Sequence, residues 1–402
     1  MDSADTLPAG AWRALDAIMA VPRWQWALGF VVGVFGISIL LYIILSLLVP
    51  KPRLPTALEK TFTTVLPDGT VSGLIPMPSW VDQHYALREM GRQGLIPPSE
   101  TFQVDAGECY MSLVVPAFNE EQRLKAMLEE AVDYLQKSYG HTGTKKGDVG
   151  VGTTPAKGQK VDAKQGWEVI IVSDGSTDQT VQVALDFAKA HHSRKGVTTK
   201  KATTGVGASN GTIRVVRLEQ NRGKGGAVTH GMRHARGAYV VFADADGASR
   251  FTDLGKLVAG CEQAQDEQGR AVSIGSRAHM VGTEAVVQRS LLRNTLMRAF
   301  HLLIRTLTTP ATGAIGDTQC GFKLFSRPAL PYIVPYMHSE GWIFDVEMLM
   351  LAESAGIPMV EVSVGWREVD GSKLNVVKDS IGMAVGLALL RVGWGLKFYR
   401  RD

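Results

Sequence analysis

The sequence predicts an α/β protein in which an open, mostly parallel sheet carries helices on both faces, with one transmembrane helix ahead of it. Short apolar runs rich in β-branched residues recur between residues 110 and 276 and end in polar residues or glycine turns. Such runs are typical of buried parallel strands, and helical stretches between them indicate alternating strands and helices. Residues 24–49 contain no charged residue, and about 20 apolar residues suffice to cross a bilayer.

The composition limits the size and the partners of the protein. The chain has 402 residues, of which 45% are hydrophobic and 20% are charged, so it can form one large domain with appendages. A net charge of +4 is too small to indicate nucleic-acid binding. The three cysteines, Cys109, Cys261 and Cys320, are odd in number and lack metal-ligand spacing. This predicts buried thiols and no disulfide framework.

The apolar stretch at residues 24–49 is predicted to be a signal anchor that follows an N-terminal tail of residues 1–23. Trp24 and Trp26 stand where an aromatic belt would meet the lipid headgroups. The run starts later and is longer than the apolar part of a cleaved signal peptide, and the basic, proline-rich segment 50–55 follows it. We therefore expect an anchor that stays in the membrane.

Basic residues on the two sides of this helix are nearly balanced in number. Lys51, Arg53 and Lys60 follow it, whereas Arg13 and Arg23 precede it. Because positively charged residues are retained on the cytosolic side of a membrane, this slight excess favours a cytosolic location for the rest of the chain.

The rest of the chain divides by composition. Residues 50–109 are rich in proline and are predicted to form a membrane-proximal linker with short helical pieces. Residues 110–378 form the predicted main domain, with two Gly-, Lys- and Thr-rich segments at about 140–166 and 193–211. These segments cannot bury a core, so we expect flexible inserts. Residues 379–402 predict an amphipathic C-terminal helix at the membrane interface.

The first strand of the main domain is expected to end near Pro116. A helix should follow Asn119, with Glu120 and Glu121 in its first turn, where acidic residues favour the positive end of the helix dipole. The local alternative for Asn119 is a plain helix N-cap.

The next elements repeat this pattern. A second apolar run ends at Asp174 before a glycine turn, where the local alternative is an ordinary turn residue. The glycine-rich segment 221–228, which contains Lys224, opens a helix. Its spacing differs from that of a P-loop. Further along, residues 252–268 predict a surface helix and residues 272–276 a fifth strand.

The most informative stretch is Ala238–Ser249. An apolar strand at Tyr239–Ala243 runs directly into Asp244 and Asp246. Their spacing turns both carboxylates to one side of an extended backbone. Hard oxygen ligands at the carboxyl end of a strand suit Mg²⁺ or Mn²⁺ bridged to phosphate. An Asp-x-Asp pair is weak evidence alone, because solvated loops also contain it.

A basic stretch at residues 286–307 predicts a further helix. Apolar side chains recur in it at helical spacing, and a plain surface helix and a membrane-contacting helix are equally compatible with this pattern. Its arginines are Arg289, Arg293, Arg298 and Arg305.

Eight motifs occur in a characteristic order. They are Leu113–Glu121, Glu168–Asp178, Asn221–Val228, Ala238–Ser249, Gly275–His279, Asp317–Phe325, Trp342–Glu347 and Trp366–Lys373. The first four together resemble glycosyltransferase family 2, whose members are nucleotide-sugar transferases with a GT-A fold. The last four are similar to the dolichyl-phosphate β-glucosyltransferase branch of that family.

The resemblance implies a site for UDP-glucose and a divalent cation. It implies that Asp244 and Asp246 hold Mg²⁺ or Mn²⁺ and that Lys224 lies near the nucleotide. The residues implied to line the uridine and ribose pocket are Pro116, Asn119, Glu120 and Asp174. The family commonly has a second aspartate where this chain has Ser173, so one carboxylate contact is missing.

The resemblance also implies that dolichyl phosphate is the acceptor. Its phosphate is already anionic, so it needs cations more than a general base. Guanidinium groups match phosphate oxygens, and the candidates for this clamp are Arg277, Arg289, Arg367 and Lys373.

The catalytic candidates implied by the resemblance are Asp246, Arg277 and Asp345. Asp345 and Glu347 fall at a predicted helix start beside Trp342 and would position sugar hydroxyls or orient a cation, with a cap as the alternative for Glu347. The family tends to have an arginine where this chain has Gly341.

The implied reaction is inverting transfer of glucose to dolichyl phosphate, which supplies N-glycan precursor assembly. Mannosyl transfer from GDP-mannose to the same lipid is the near alternative, and a catalytically silent nucleotide-sugar-binding scaffold is the alternative from another class. A processive synthase is disfavoured, since several spans and a Gln-x-x-Arg-Trp segment are absent from the sequence. The implied location is the endoplasmic reticulum membrane, with a single span, contact with the lipid bilayer and a possible homo-oligomer.

Overall fold

A seven-stranded sheet lies at the centre of the chain, and a long helix precedes it. The computed structural model describes residues 22–140, 165–194, 211–280, 302–369 and 376–400. The strands are β1 (Thr61–Phe62), β2 (Ile75–Pro76), β3 (Cys109–Ala117), β4 (Trp167–Asp174), β5 (Thr212–Leu218), β6 (Gly237–Ala243), β7 (Val272–Ser276), β8 (Phe322–Ser326) and β9 (Met359–Ser363). The helices are α1 (Arg23–Leu48), α2 (Trp80–Arg92), α3 (Leu124–Tyr139), α4 (Thr180–Arg194), α5 (Lys224–Arg233), α6 (Leu254–Ala264), α7 (Pro310–Ala314), α8 (Phe344–Ser354) and α9 (Val376–Gly395).

The central sheet has the strand order β5–β4–β3–β6–β8–β7–β9. Only β8 runs antiparallel to its neighbours in this sheet, β6 and β7, and the other pairings are parallel. The predicted open, mostly parallel sheet of a GT-A-type fold is therefore confirmed.

Alternate residues of β3 supply the cores on both faces of the sheet. Met111, Leu113 and Val115 are buried on one face with residues of α3, α4 and α6. Val114 is buried on the opposite face with residues of α5 and α8. A strand covered on both faces has to be apolar along its whole length, which explains why the apolar runs located the strands in the sequence.

The helix α1 agrees with the predicted span at residues 24–49. Among the described helices it alone has the length and apolarity to cross a membrane. None of its residues is buried by the rest of the chain. Its end is anchored, because Val49 is buried beside Val346 and Leu387, and the rings of Tyr42 and Phe398 lie 4.8 Å apart.

Residues 50–109 form more than a linker. Phe62 and Trp80 are buried in the core on the α5 face of the sheet, and the indole N–H of Trp80 donates a hydrogen bond to the Met232 carbonyl at 2.8 Å. Thr63 bridges to Val215 of β5. The many prolines predicted that this segment forms no core of its own. Its aromatic residues Phe62 and Trp80 are nevertheless part of the core of the main domain.

The turn after β3 differs from its prediction. The helix α3 begins at Leu124, and no acidic residue lies in its first turn. Asn119 adopts a positive φ of 54° and lies outside the helix. The N–H of Glu120 instead donates to Oγ1 of Thr180, the first residue of α4, and the N–H of Glu121 donates to Asp178 Oδ2 in the turn after β4. These hydrogen bonds join the segments that follow β3 and β4, and the helix therefore begins only at Leu124.

The C-terminal helix also differs from its prediction. It begins at Val376 and ends at Gly395, earlier at both ends than the helix predicted for residues 379–402, and its place at the membrane interface stays a prediction. One side packs in a core through Leu387 and Leu390, while Ile381 remains 60% exposed.

Other predicted elements agree in part. The fifth strand matches β7 at both ends. The surface helix predicted for residues 252–268 is shorter, with a 3₁₀ turn at Phe251–Asp253 and then α6. Residues 302–307 are helical, while the rest of the basic stretch lies outside the described residues. The two predicted inserts lie largely outside the described residues as well.

Candidate active site

The turns that follow β3, β4, β5 and β6 meet at one edge of the sheet, because parallel strands share the direction of their carboxyl ends. The turn after β4 is fastened to the turn after β3, since the amide N–H of Thr177 donates to Asn119 Oδ1 at 2.8 Å. It is also fastened to the turn after β5, since the side-chain amide of Asn221 donates to the Asp174 carbonyl at 3.1 Å. The predicted donor residues therefore lie at one edge.

Asp244 directly follows β6 and lies between Gly321, just before β8, and Lys224 at the start of α5. Its backbone N–H donates to the Gly321 carbonyl at 3.2 Å. Lys224 Nζ lies 2.6 Å from Asp244 Oδ1. A Cβ atom on Gly321 would lie only 2.0 Å from Asp244 Oδ2, so the carboxylate fills the space that a side chain at residue 321 would need.

Asp246 lies in the turn after Asp244. Its Oδ1 accepts a hydrogen bond from the Ala248 N–H at 2.9 Å. Burial, followed by the nearby Asp244 carboxylate, raises the pKa of Asp246 above its ordinary value. Burial and the neighbouring carboxylate both disfavour the negative charge of Asp246, and a bound cation would offset both effects.

This arrangement fits a divalent cation. The cradle at Gly321 orients one carboxylate, and the repulsion of the second makes a bound cation favourable. Within the described ranges no cluster of three or more His, Cys, Asp or Glu residues could hold a metal alone. Asp244 and Asp246 would thus hold the ion, with oxygens of a phosphate ligand supplying further ligands.

Lys224 is the first residue of α5, and it joins the acids to aromatic residues. Its Nζ lies 5.8 Å from the ring centroids of both Trp342 and Phe344. Burial lowers its pKa, but Asp244 and Asp345 outweigh this and raise it. Lys224 therefore remains cationic beside Asp244, and Trp342, which is 38% exposed, stands at the surface next to it.

Asp174 ends β4 with its carboxylate turned inward. Its Oδ1 accepts the backbone N–H of Arg222 at 2.7 Å, and the residue is only 3% exposed. Burial raises the pKa of Asp174 to about 6, although the N–H groups of Arg222 and Gly223 oppose this. In this structure Asp174 organises the turn after β5, which matches the turn role that the sequence offered as its alternative.

The other predicted donor residues lie nearby. Pro116 is the penultimate residue of β3. Glu120 forms a two-pronged ion pair with Arg123, whose Nε and Nη2 atoms each lie 2.7 Å from a carboxylate oxygen. Burial lowers the pKa of Arg123, but Glu120, Asp246 and Asp244 outweigh this and raise it. The sequence analysis missed Arg123, a cation in the field of both site acids.

Arg277, predicted as an acceptor clamp, has an acidic partner within the protein. Its Nε and Nη2 atoms lie 2.7 and 2.9 Å from the two carboxylate oxygens of Asp317, and its backbone N–H donates to the same group at 2.9 Å. This two-pronged pair occupies one edge of the guanidinium. Asp317 largely neutralises the charge of Arg277. The guanidinium edge that was predicted to clamp a phosphate is therefore already occupied by Asp317.

Arg367 lies closer to the acids than its sequence position suggested. Its Nε donates to the Gly247 carbonyl at 3.1 Å, and its Nη2 contacts Glu130 at 3.3 Å while the side chain remains 62% exposed. Arg289 and Lys373, the other two predicted clamp residues, lie outside the described residues.

Asp345 and Glu347 point into the protein. Asp345 is 2% exposed and forms an ion pair with Lys323, which is itself buried. Glu347 is fully buried and accepts the N–H groups of His338 and Ser339 at 3.0 and 2.7 Å. Of the two roles that the sequence left open for Asp345, orienting a cation fits this geometry.

The buried pair gives a stability prediction. We expect Asp345→Asn to lower the free energy of unfolding by about 3–5 kcal/mol, because the buried Lys323 charge loses its anionic partner and keeps only the Cys320 carbonyl. The double variant Lys323→Met/Asp345→Leu should recover most of that loss. Chemical denaturation of the three proteins measures this, and an Asn variant as stable as the parent protein would show that the pair carries no charge.

Comparison with known proteins shows the family of the chain. Residues 112–330 match the family model of glycosyl transferase family 2. The chain is 39% identical over 334 residues to a dolichyl-phosphate beta-glucosyltransferase of Saccharomyces cerevisiae, which covers 81% of this chain and 88% of that protein. It is 43% identical to a protein of the same name from Drosophila melanogaster, over 67% of this chain and 71% of that one.

A solved structure is similar at a lower level. Glucosyl-3-phosphoglycerate synthase from Mycobacterium tuberculosis, in complex with Mn²⁺, uridine diphosphate and glucosyl-3-phosphoglycerate, has 18% sequence identity and a TM-score of 0.43. The alignment covers 71% of this chain and 80% of that chain.

Proposed function

The chain belongs to glycosyltransferase family 2 and, within it, to the dolichyl-phosphate β-glucosyltransferases, and we propose that it transfers glucose from UDP-glucose to dolichyl phosphate. One observation of the site supports this most strongly. Asp244 and Asp246 lie together at the end of β6, with Asp244 held between the glycine cradle at Gly321 and the ammonium group of Lys224. Paired carboxylates beside a cation suit a substrate that brings a diphosphate.

The donor end of the reaction follows from these side chains. Asp244 and Asp246 would hold Mg²⁺ or Mn²⁺ against the diphosphate, and the ion when bound would act as a Lewis acid on the leaving group. Lys224 adds a fixed positive charge where negative charge grows. Pro116, Asn119, Glu120 and Asp174 remain the proposed surroundings of the uridine.

The acceptor end needs positioning more than activation. An oxygen of the lipid phosphate forms a bond to the anomeric carbon of glucose as the bond from that carbon to UDP breaks, so one displacement inverts the configuration. Two anions meet in this step, and cations must offset their repulsion. Arg367 is the proposed contact within the described residues, because it is exposed beside the loop of Asp246. Arg289 and Lys373 stay proposed on sequence grounds, and Arg277 would act through its pair with Asp317.

The experiment that tests the proposed function is transfer to dolichyl phosphate by the purified protein from a panel of nucleotide sugars. GDP-mannose is the second candidate donor, since it delivers a hexose to the same lipid. A protein that binds UDP-glucose without turnover would instead be a scaffold. Asp244 and Asp246 beside Lys224 suit metal-assisted departure of a diphosphate, and this favours an enzyme over a scaffold.

We propose that α1 anchors the protein in the endoplasmic reticulum membrane with the catalytic domain facing the cytosol. Asn210, Gly211 and Thr212 form an acceptor pattern for N-glycosylation, and Asn210 lies outside the described residues. We expect Asn210 to carry no glycan in the native membrane, since glycosylation occurs on the lumenal side. Mass spectrometry of the purified native protein measures this, and a glycan at Asn210 would place the domain in the lumen.

A further inference from the structure

Arg222 lies where three parts of the chain meet the proposed donor site. Its backbone N–H donates to Asp174 Oδ1 at 2.7 Å. Its guanidinium donates to Glu340 through Nε at 2.7 Å and to the carbonyl of Arg53 through Nη2 at 2.6 Å. The side chain is only 6% exposed, although arginine is mostly exposed in proteins. A buried arginine with these partners connects a donor residue to two distant segments.

The first distant segment, residues 53–59, leaves the membrane-spanning helix, which ends at Leu48. Glu59 in this segment is fully buried. Its carboxylate pairs with the Arg53 guanidinium and accepts the N–H groups of Thr56 and Glu219, both at 3.0 Å. Burial alone would raise the pKa of Glu59, but these hydrogen bonds and Arg53 outweigh it and lower the pKa. Glu59 is therefore an anion with a fixed position.

The turn between β5 and α5 is thus fastened to this segment at both of its ends. Glu219, at its start, is held by Glu59, and Arg222, at its end, is held by the Arg53 carbonyl. Lys224 follows two residues later and reaches Asp244. Any shift of the turn would therefore move Arg222, which contacts Asp174, together with Lys224, which contacts Asp244.

The second distant segment is the loop that leads to Trp342. The Gly226 N–H donates to the Glu340 carbonyl at 3.1 Å. Gly223 has a positive φ of 83°, and a Cβ atom there would lie 2.6 Å from the same carbonyl oxygen. The two loops are therefore in direct backbone contact, and the ion pair of Arg222 with Glu340 joins them where they pack most closely.

We propose that Arg222 is a positioning residue for the nucleotide donor, which fixes residues 219–226 between the membrane-exit segment 53–59 and Glu340. This inference rests on the proposed function, since it deepens the account of the donor site. Its consequence is that donor affinity depends on residues immediately after the membrane helix, far along the chain from Asp174 and Lys224.

The test compares three variants in the full-length protein. Arg222→Gln removes the charge and the fork, and Arg222→Lys keeps the charge with one donor group. Glu59→Gln leaves Arg222 in place and weakens the contacts of residue 59 with Arg53, Thr56 and Glu219. We expect Arg222→Gln to raise both the dissociation constant of UDP and the KM for UDP-glucose roughly tenfold or more, because a charge-assisted link is lost. The kcat should change less than about threefold, and Arg222→Lys and Glu59→Gln should show smaller shifts in the same direction.

Lys60→Gln is the matched control. Lys60 follows the same segment, but its contact with Asp82 is 3.5 Å long and both side chains are exposed, so this change should alter neither constant. Calorimetry with UDP and Mn²⁺ gives the affinity without the lipid, and a thermal melt checks folding. If Arg222→Gln does not fold, the Lys and Glu59 variants still decide the matter.

The proposal is wrong if the folded variants lower only the melting temperature while UDP affinity and KM stay within twofold of the parent protein. That outcome would make Arg222 a purely structural residue. If the parent protein itself does not bind UDP, the proposed function and this inference fall together. If the parent binds UDP and the variants bind it equally, only this inference falls.

Discussion

Asp246→Asn is expected to abolish nearly all glucosyl transfer while the protein stays folded. Asp246 would hold the divalent cation at the diphosphate together with Asp244, and this charge neutralisation is worth about 4 kcal/mol, or on the order of 10³-fold in rate. The fold should tolerate the change, because Asn can still accept the Ala248 N–H. Steady-state transfer with added Mn²⁺ measures the effect.

The stability of the same variant gives an independent check. Burial and Asp244 raise the pKa of Asp246 in the folded protein, so its ionised form destabilises the fold at neutral pH. Without metal, Asp246→Asn should therefore melt at the same or a higher temperature than the parent. Asp133→Asn, at an exposed pair with Lys137, is the control and should retain full activity. Near-normal transfer by a folded Asp246→Asn protein would refute the metal assignment.

Gly321→Ala is expected to reduce transfer on the order of 10²-fold through the position of a neighbouring carboxylate. An added Cβ would lie 2.0 Å from Oδ2 and 2.3 Å from Cγ of Asp244, so Asp244 must move out of its cradle. Displacement of a reacting group by about 1 Å can cost this much. Gly321 does not have a positive φ, so alanine is compatible with its backbone.

Gly341→Ala is the matched control for this substitution. Gly341 precedes Trp342 at the same site, and a Cβ there would have no atom within 4 Å. It should retain the transfer rate and the metal dependence of the parent protein. Equal activity of the two alanine variants in steady-state assays would mean that the position of Asp244 does not matter for the reaction.

The sequence predicted the strand ends well because their signal is local. A strand buried on both faces must be apolar, so the runs that end at Asp174 and Asp244 marked the site edge directly. Pairings between distant residues left no such local signal. Arg277 and Asp317 are 40 positions apart, and only the insertion of β8 between β6 and β7 brings that segment beside Asp244.

Residues 50–109 also show what local sequence patterns could not predict. Prolines between residues 50 and 109 suggested a linker, because composition reports what a segment can bury by itself. Phe62 and Trp80 are instead buried in a core made mostly by other elements. Glu59 lies in this segment, and its burial is evident only from its contacts with Arg53 and Glu219. The support of the donor turn was therefore outside the reach of local patterns.

The central claim is glucosyl transfer from UDP-glucose to dolichyl phosphate, and a donor panel with the purified full-length protein tests it most directly. The parent protein, stripped of metal and resupplied with Mn²⁺ or Mg²⁺, is given UDP-glucose, UDP-galactose or GDP-mannose with dolichyl phosphate. We predict transfer from UDP-glucose only with metal present, and a β-linked lipid product by NMR. Preferred transfer from GDP-mannose, or binding of UDP-glucose with no product, would contradict the account.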